Sequence, residues 1–379
     1  MKDPTKQQYI RPELGKGFRI SGWILRTLFG AVFVFSGFVK AIDPLGSAYK
    51  ITDYLTALNL QQLDVLALPI AITLSAVEMG IGISLVTSIQ AKFSSVLAIV
   101  FMLIMTPFTL WIALTNPVSD CGCFGDAIVL SNWTTFWKNI VLLILIIAVI
   151  YLNNYYRPYL SPMPSWLLFA TFFMIPLALS CYSLRHLPLI DFRPYKVGNH
   201  LEDLMQVPQD APTDQYKTTF IYEKNGIQQE FDETNYPWND STWTFISQNS
   251  VLVKKGYTPP IHDFNLITLN GDDVTDIVLA ADKVYIVVMY DLRQTDTLQI
   301  DKINALYKQA QKEGTLFYAL TADLETDIQD FKEVHGCTFP FCQVDPITLK
   351  TIIRANPGIV LLQKGTVTHK WNAKDFIIK

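Results

Sequence analysis

The sequence predicts a multidomain chain in which an α-helical transmembrane bundle is followed by an α/β domain. Three observations carry that expectation. Half of the 379 residues are hydrophobic and only 17% are charged, an unusual balance for a soluble protein. The apolar residues are concentrated between positions 20 and 184. From residue 256 onward, short apolar, β-branched runs alternate with segments of helical spacing, the pattern of a sheet covered by helices.

Roughly 20 apolar residues cross a bilayer as a helix, and five stretches qualify: 22–42, 65–86, 93–114, 137–152 and 166–184. Backbone groups in hydrocarbon must be satisfied within their own segment, so each is a helix. The chain then divides into a tail (1–19), a four-helix membrane domain (20–152), a fifth transmembrane helix (153–184), a connector (185–255) and an α/β domain (256–379). The short flanks set the orientation. Lys2, Lys6, Arg11, Lys16 and Arg19 make the tail cytoplasmic, and Lys92 and Arg157 mark later inside loops. Arg185, Arg193 and Lys196 weigh against this orientation. An odd number of spans carries the C-terminal half outside, and the same count places the loop between the third and fourth spans outside, where disulfides persist. No cleavable signal peptide is expected. The expected location is the inner (plasma) membrane of a bacterial-type cell, with the bilayer as partner. A net charge of −4 leaves no nucleic-acid footprint. No inverted repeat supports a transporter.

Ionisable residues within spans carry function by default. Glu78 lies well inside the second span. It reads either as a proton relay or as a structural hydrogen bond between helices. Arg26 and Lys40 lie near opposite ends of the first span and are expected to snorkel. Gly30, Gly37, Gly80 and Gly82 are expected to allow close helix contact.

The run Asp120-Cys121-Gly122-Cys123-Phe124-Gly125-Asp126 holds the chemistry of the membrane half. A disulfide across two residues closes a small ring whose geometry favours reduction, and Gly122 lets the backbone bend between the thiols. Three readings stand: a redox pair, a structural bridge, or the start of a metal site. No complete metal-ligand set is evident, since His186 is the only His of the membrane half. The five cysteines leave an odd thiol. Cys181, near the outer end of the fifth helix, is a candidate exchange partner.

Ser36-Gly37 with Lys40 and Asp43-Pro44, Glu78, and the Cys-Gly-Cys-Phe-Gly run together resemble the DoxX/MauE group of redox-associated membrane proteins across residues 20–152. The resemblance implies a four-helix bundle, implicates Cys121 and Cys123, and associates the chain with disulfide formation in exported proteins and with a membrane quinone as acceptor. No covalently bound cofactor is expected.

In the connector, 218–222 and 227–231 read as two strands around a type I′ turn at Asn225-Gly226. Residues 236–250 fit no element. Farther on, 265–269, 283–290, 315–320, 341–344, 359–362 and 366–371 read as strands, and 299–313 and 326–335 as helices. This order resembles the thioredoxin-like fold in its TlpA and peroxiredoxin-type branch. The resemblance implies a cysteine pair after the first long strand and a facing cis-proline. Pro357 matches the proline, but the strand runs into Asp291 with no cysteine, so the usual dithiol activity is not expected. Cys337 and Cys342 read either as a relocated redox pair or as core residues. Two functions are expected from this set: thiol–disulfide exchange coupled to a quinone, serving exported thiol proteins, or a non-enzymatic docking module on a membrane anchor.

Overall fold

The computed structural model describes residues 16–118, 120–153, 161–254 and 256–378. Lys2, Lys6, Arg11 and Arg157, and the side chains of Lys16 and Arg19, lie outside the described residues. The chain forms two compact units. One comprises residues 1–193, 353–358 and 371–379, the other 194–352 and 359–370.

The first unit is helical: α1 (Lys16–Ile42), α2 (Pro44–Ala57), α3 (Ala67–Thr87), α4 (Ala91–Thr115), α5 (Asn132–Asn153) and α6 (Pro162–Arg185). Five of its helical segments are long and apolar enough to cross a membrane, as the sequence predicts. Two features were not legible. Helix α2 is too short and polar to register as a span, and Asp43-Pro44 reads as a loop. That same dipeptide starts the helix: the Asp43 carboxylate accepts from the Gly46 N–H at 2.9 Å, and Pro44 occupies the first turn. The fourth span begins at Asn132 rather than 137, because the Ser131 hydroxyl accepts from Thr134 N–H at 3.2 Å and caps it.

Small residues let α1 and α3 meet backbone to backbone. A Cβ at Gly37 would lie 2.5 Å from the Met79 nitrogen and 2.7 Å from the Ser75 oxygen. Above that contact Phe29, Phe33, Ile81, Leu85, Met102 and Ile146 form a buried core. Lys40 and Arg26 do not snorkel. Both residues are buried, because each finds partners inside the bundle; Arg26 donates to Ser88 Oγ at 2.5 Å.

The second unit holds α7 (Leu201–Met205) and two sheets. The smaller is antiparallel, in the order β2-β1-β3, from β1 (Gln215–Lys224), β2 (Ile227–Asp232) and β3 (Thr244–Lys254). Asn225 and Gly226 both have positive φ, at 53° and 79°, as the type I′ turn requires. Strand β3 was hidden because most of its positions are exposed on both faces, which removes the alternation that marks a strand.

The larger sheet has six strands in the order β4-β7-β6-β5-β8-β9. In chain order these are β4 (Ile267–Thr268), α8 (Thr275–Ala280), β5 (Val284–Val288), α9 (Ile300–Glu313), β6 (Leu316–Thr321), α10 (Glu325–His335), β7 (Phe341–Gln343), α11 (Pro346–Ile352), β8 (Gly358–Gln363) and β9 (Thr366–Asn372). Strands β5, β6 and β7 run parallel and β4 antiparallel. Val284, Ile286, Val287 and Val288 of β5 are buried, as expected for a strand covered on both faces. The α/β unit resembles the thioredoxin-like arrangement expected from the sequence. The 265–269 strand is reduced to two residues, and α8 and α11 are additional.

Candidate functional site

On α1, Ser36 and Lys40 are four residues apart and share a face. That face meets Glu78 of α3. Lys40 Nζ donates to Ser36 Oγ at 2.7 Å, Glu78 Oε2 at 2.7 Å and the Cys123 carbonyl at 2.6 Å. The ammonium has three protons and three acceptors here. Ser36 Oγ lies 2.7 Å from Glu78 Oε2 and 2.8 Å from the Cys123 carbonyl, and its proton serves one at a time. The Lys40 and Glu78 side chains are 6% and 7% exposed, which a charged pair tolerates only when its hydrogen bonds are satisfied.

The Cys-Gly-Cys loop is held from both sides. Tyr54 Oη of α2 donates to the Cys121 carbonyl at 2.6 Å, as Lys40 does to that of Cys123. Lys50 pairs with Asp120 at 2.6 Å, and Asp120 accepts from Gly122 N–H at 2.9 Å. Gly122 has φ +64°, a left-handed conformation that glycine adopts at little cost. This turn aims both thiols the same way. The sulfurs are 3.1 Å apart and both cysteines are free and half-buried, so a disulfide bond of about 2.05 Å needs roughly 1 Å of closure.

The two thiols differ. The hydrogen bond from Cys121 lowers Cys123 to about 6 against the opposing effect of burial, with Lys138 and Lys40 adding to the lowering. Cys121 is pushed well up, by the hydrogen bond to Cys123, by burial and by the charge on its neighbour. Cys123 is thus the more acidic of the two thiols and Cys121 the less acidic. Burial, then the nearby thiols, also raises Tyr54, which keeps its phenol a donor.

Both cysteines line a cavity of about 300 Å³ between the helices, within the size range of small-molecule sites. Its wall is largely apolar, with Phe33, Phe101, Met102, Phe108 and Leu142, and its polar members include Glu78, Lys138 and Asn139. A flat, largely apolar molecule with a polar head fits such a wall. Among the described residues, no group of three His, Cys, Asp or Glu stands ready to hold a metal.

Beside the loop, Arg354 Nε donates to both Asp43 oxygens at 3.0 and 2.9 Å, and an Nη lies 3.4 Å from Asp126. Burial raises Asp126, and Arg354 opposes it.

Of the residues expected to act, the structure brings Cys121, Cys123 and Glu78 to one cavity. Cys181 is exposed on α6 and, among the described residues, contacts neither thiol. Pro357 follows a cis bond from Asn356, as the resemblance implies. The Asp291 carboxylate accepts from Arg293 N–H at 3.0 Å and caps a turn. Cys337 and Cys342 are free, buried and separately packed, which favours the core reading, and burial raises them to about 11 and about 12. Tyr54, Lys50, Lys138 and Asn139 were not singled out from the sequence. Lys138, a charge inside the fourth span, carried a signal that could have found it.

Residues 19–152 match the family described as methylamine utilisation protein MauE, and residues 216–255 match a domain of unknown function, DUF8463. Similar solved structures include the thioredoxin domain of a thiol-disulfide oxidoreductase from Bacteroides vulgatus, 17% identical over 28% of this chain and 81% of that one, with a TM-score of 0.25. A peroxiredoxin Q from Xanthomonas campestris is 18% identical over 29% and 80%, with a TM-score of 0.24. A putative protein disulfide isomerase from Bacteroides thetaiotaomicron is 14% identical over 29% and 75%, with a TM-score of 0.24. No curated protein matches the chain.

Proposed function

We propose that this multi-pass membrane protein, whose residues 19–152 match the MauE family and whose residues from 256 on form an α/β unit of thioredoxin-like order, is a thiol oxidoreductase that passes electrons from exported thiol proteins to a quinone. One observation carries the reading: two thiols 3.1 Å apart in the wall of a largely apolar cavity of about 300 Å³ between the helices. In the oxidising half-reaction the Cys121 and Cys123 sulfurs join, two protons and two electrons leave, and a quinone becomes a hydroquinone. Glu78, bonded to Ser36 and Lys40 at the same wall, relays protons.

In the other half-reaction a thiolate of the exported protein attacks the disulfide. The sulfur with the lower pKa leaves faster, so Cys123 leaves and the mixed disulfide forms on Cys121. A second thiol of the same partner then releases Cys121, and the partner keeps the disulfide. This assignment places the loop on the outer face of a bacterial-type inner membrane.

The soluble half binds rather than reacts in this scheme. Its cysteines are buried, and Asp291 caps a turn where the thioredoxin-like fold carries its cysteine pair.

Reconstitution of the full chain in liposomes with decylubiquinone and a dithiol donor tests the reading. Hydroquinone should form in step with donor oxidation, and Cys121→Ser and Cys123→Ser should each abolish it. Thiols that stay alkylatable in oxidised membranes would sink the idea.

A further inference from the structure

Three lysines surround the thiol loop, and two have carboxylates. Lys40 pairs with Glu78 at 2.7 Å and Lys50 with Asp120 at 2.6 Å. Lys138 of α5 differs. Among the described residues it makes no ion pair or hydrogen bond; its recorded contact is the Phe124 ring, with Nζ 4.4 Å from the centroid. It is half-buried, lies within a membrane span and lines the cavity together with Cys121 and Cys123.

A cation at that depth is costly without an anion. The ring face it rests on supplies only part of the compensation. Phe124 follows Cys123 directly, so this contact keeps the ammonium at the thiol end of the cavity. Negative charge arises there in two forms: the Cys123 thiolate before reaction, and the oxygen of an acceptor as it takes up electrons.

We propose that Lys138 is a catalytic residue of the cavity that faces a carbonyl oxygen of a quinone-class acceptor and stabilises the negative charge that grows on it only as the Cys121–Cys123 bond forms. The inference rests on the quinone reading above and adds the group that receives the acceptor's head. The electron balance is unchanged: two thiols become a disulfide, one quinone becomes one hydroquinone, and the two protons end on its oxygens. Lys138 keeps its own proton and contributes charge. Lys40, Glu78, Ser36 and Tyr54 share the wall, but their partners within the protein already engage them.

The test compares wild type, Lys138→Met and Lys138→Arg in the full-length reconstituted protein, with decylubiquinone and menadione as acceptors. Diamide, a small soluble thiol oxidant, gives a second readout that needs no acceptor site. Charge that grows only during reduction is felt in kcat rather than KM. The expected result for Lys138→Met is a loss of kcat on the order of a hundredfold, with KM little changed and diamide still forming the Cys121–Cys123 disulfide. Lys138→Arg should keep most of the rate. An unchanged kcat in Lys138→Met overturns the proposal and assigns the ammonium to a lipid phosphate. If Lys138→Met also loses diamide oxidation, Lys138→Arg decides, and a rate as low as that of the methionine variant overturns it. A wild type that reduces neither quinone sinks the underlying reading and this inference with it, an outcome visible before any variant is made.

Discussion

Lys40 Nζ donates to the carbonyl oxygen of Cys123 over 2.6 Å, so the cation that neutralises Glu78 also fixes the backbone of the thiol loop. The pair therefore joins helix packing to chemistry. Lys40→Met leaves Glu78 buried among the helices without its cation, and Glu78→Leu does the reverse. Breaking one side of a buried pair costs about 3–5 kcal/mol. The double variant Lys40→Met/Glu78→Leu should regain most of the stability, because two apolar groups replace two buried charges. Thermal unfolding of the four proteins in detergent measures the coupling. Additive losses would mean the two residues act separately.

The thiol asymmetry gives a pH signature. A lowered thiol pKa means thiolate above that value and thiol below it. Alkylation of Cys123 should therefore level off above about 6 and fall as pH drops through it, while Cys121, pushed up, reacts far more slowly. The largest cause of the lowering is the hydrogen bond from Cys121. Cys121→Ala should thus move the Cys123 midpoint back toward the ordinary thiol range. Peptide mass spectrometry after timed iodoacetamide treatment reads both sites, and faster modification of Cys121 would contradict the assignment.

The spans and the proximity of the two thiols were legible because both are local: hydrophobic run length and two thiols two residues apart. The strands of the second unit were legible where burial imposed a pattern, as in β5, and illegible in β3, where it did not. The site itself was only half visible. Glu78, Cys121 and Cys123 stood out by type, yet their meeting depends on Gly37 allowing α1 to touch α3, a contact between residues far apart in sequence. Lys40 looked like a snorkelling end residue, because its partners come from another helix and from a loop more than 80 positions away. Arg354 gave no signal at all, since its carboxylates lie about 310 and 230 positions earlier.

That helix contact makes its own prediction. A methyl group at Gly37 would sit 2.5 Å from the backbone nitrogen of Met79, and backbone cannot turn aside as a side chain can. Gly37→Ala should push α1 from α3 and cost about 1–3 kcal/mol. Lys40 lies one turn further along α1, so the same shift should stretch its bond to Glu78 and slow electron transfer. Thermal unfolding and hydroquinone formation should fall together. A destabilised variant with full activity would separate packing from the site.

Arg354 is 7% exposed and sits between Asp43 and Asp126. Arg354→Met leaves two carboxylates facing each other. Asp126 is already raised by burial and is lowered by Arg354, so losing the guanidinium raises it further. A carboxyl raised in the folded state stabilises at low pH and loses that contribution as pH rises. The deficit of Arg354→Met should therefore shrink as pH falls through the range where Asp126 takes up its proton. Unfolding midpoints of variant and wild type across pH read this directly, and a pH-independent gap would argue that Asp126 does not feel the arginine.

Cys337 and Cys342 offer the last contrast. Burial holds them at about 11 and about 12, so both stay protonated at neutral pH, and a thiol is a poor nucleophile. They should resist alkylation in the folded protein and react after denaturation. Replacing both with alanine removes two small buried sulfurs, a change comparable to deleting a methyl group and worth about 1 kcal/mol each, and should leave hydroquinone formation intact. Loss of turnover in Cys337→Ala/Cys342→Ala with the fold preserved would make this pair, rather than the membrane loop, the thiols that matter.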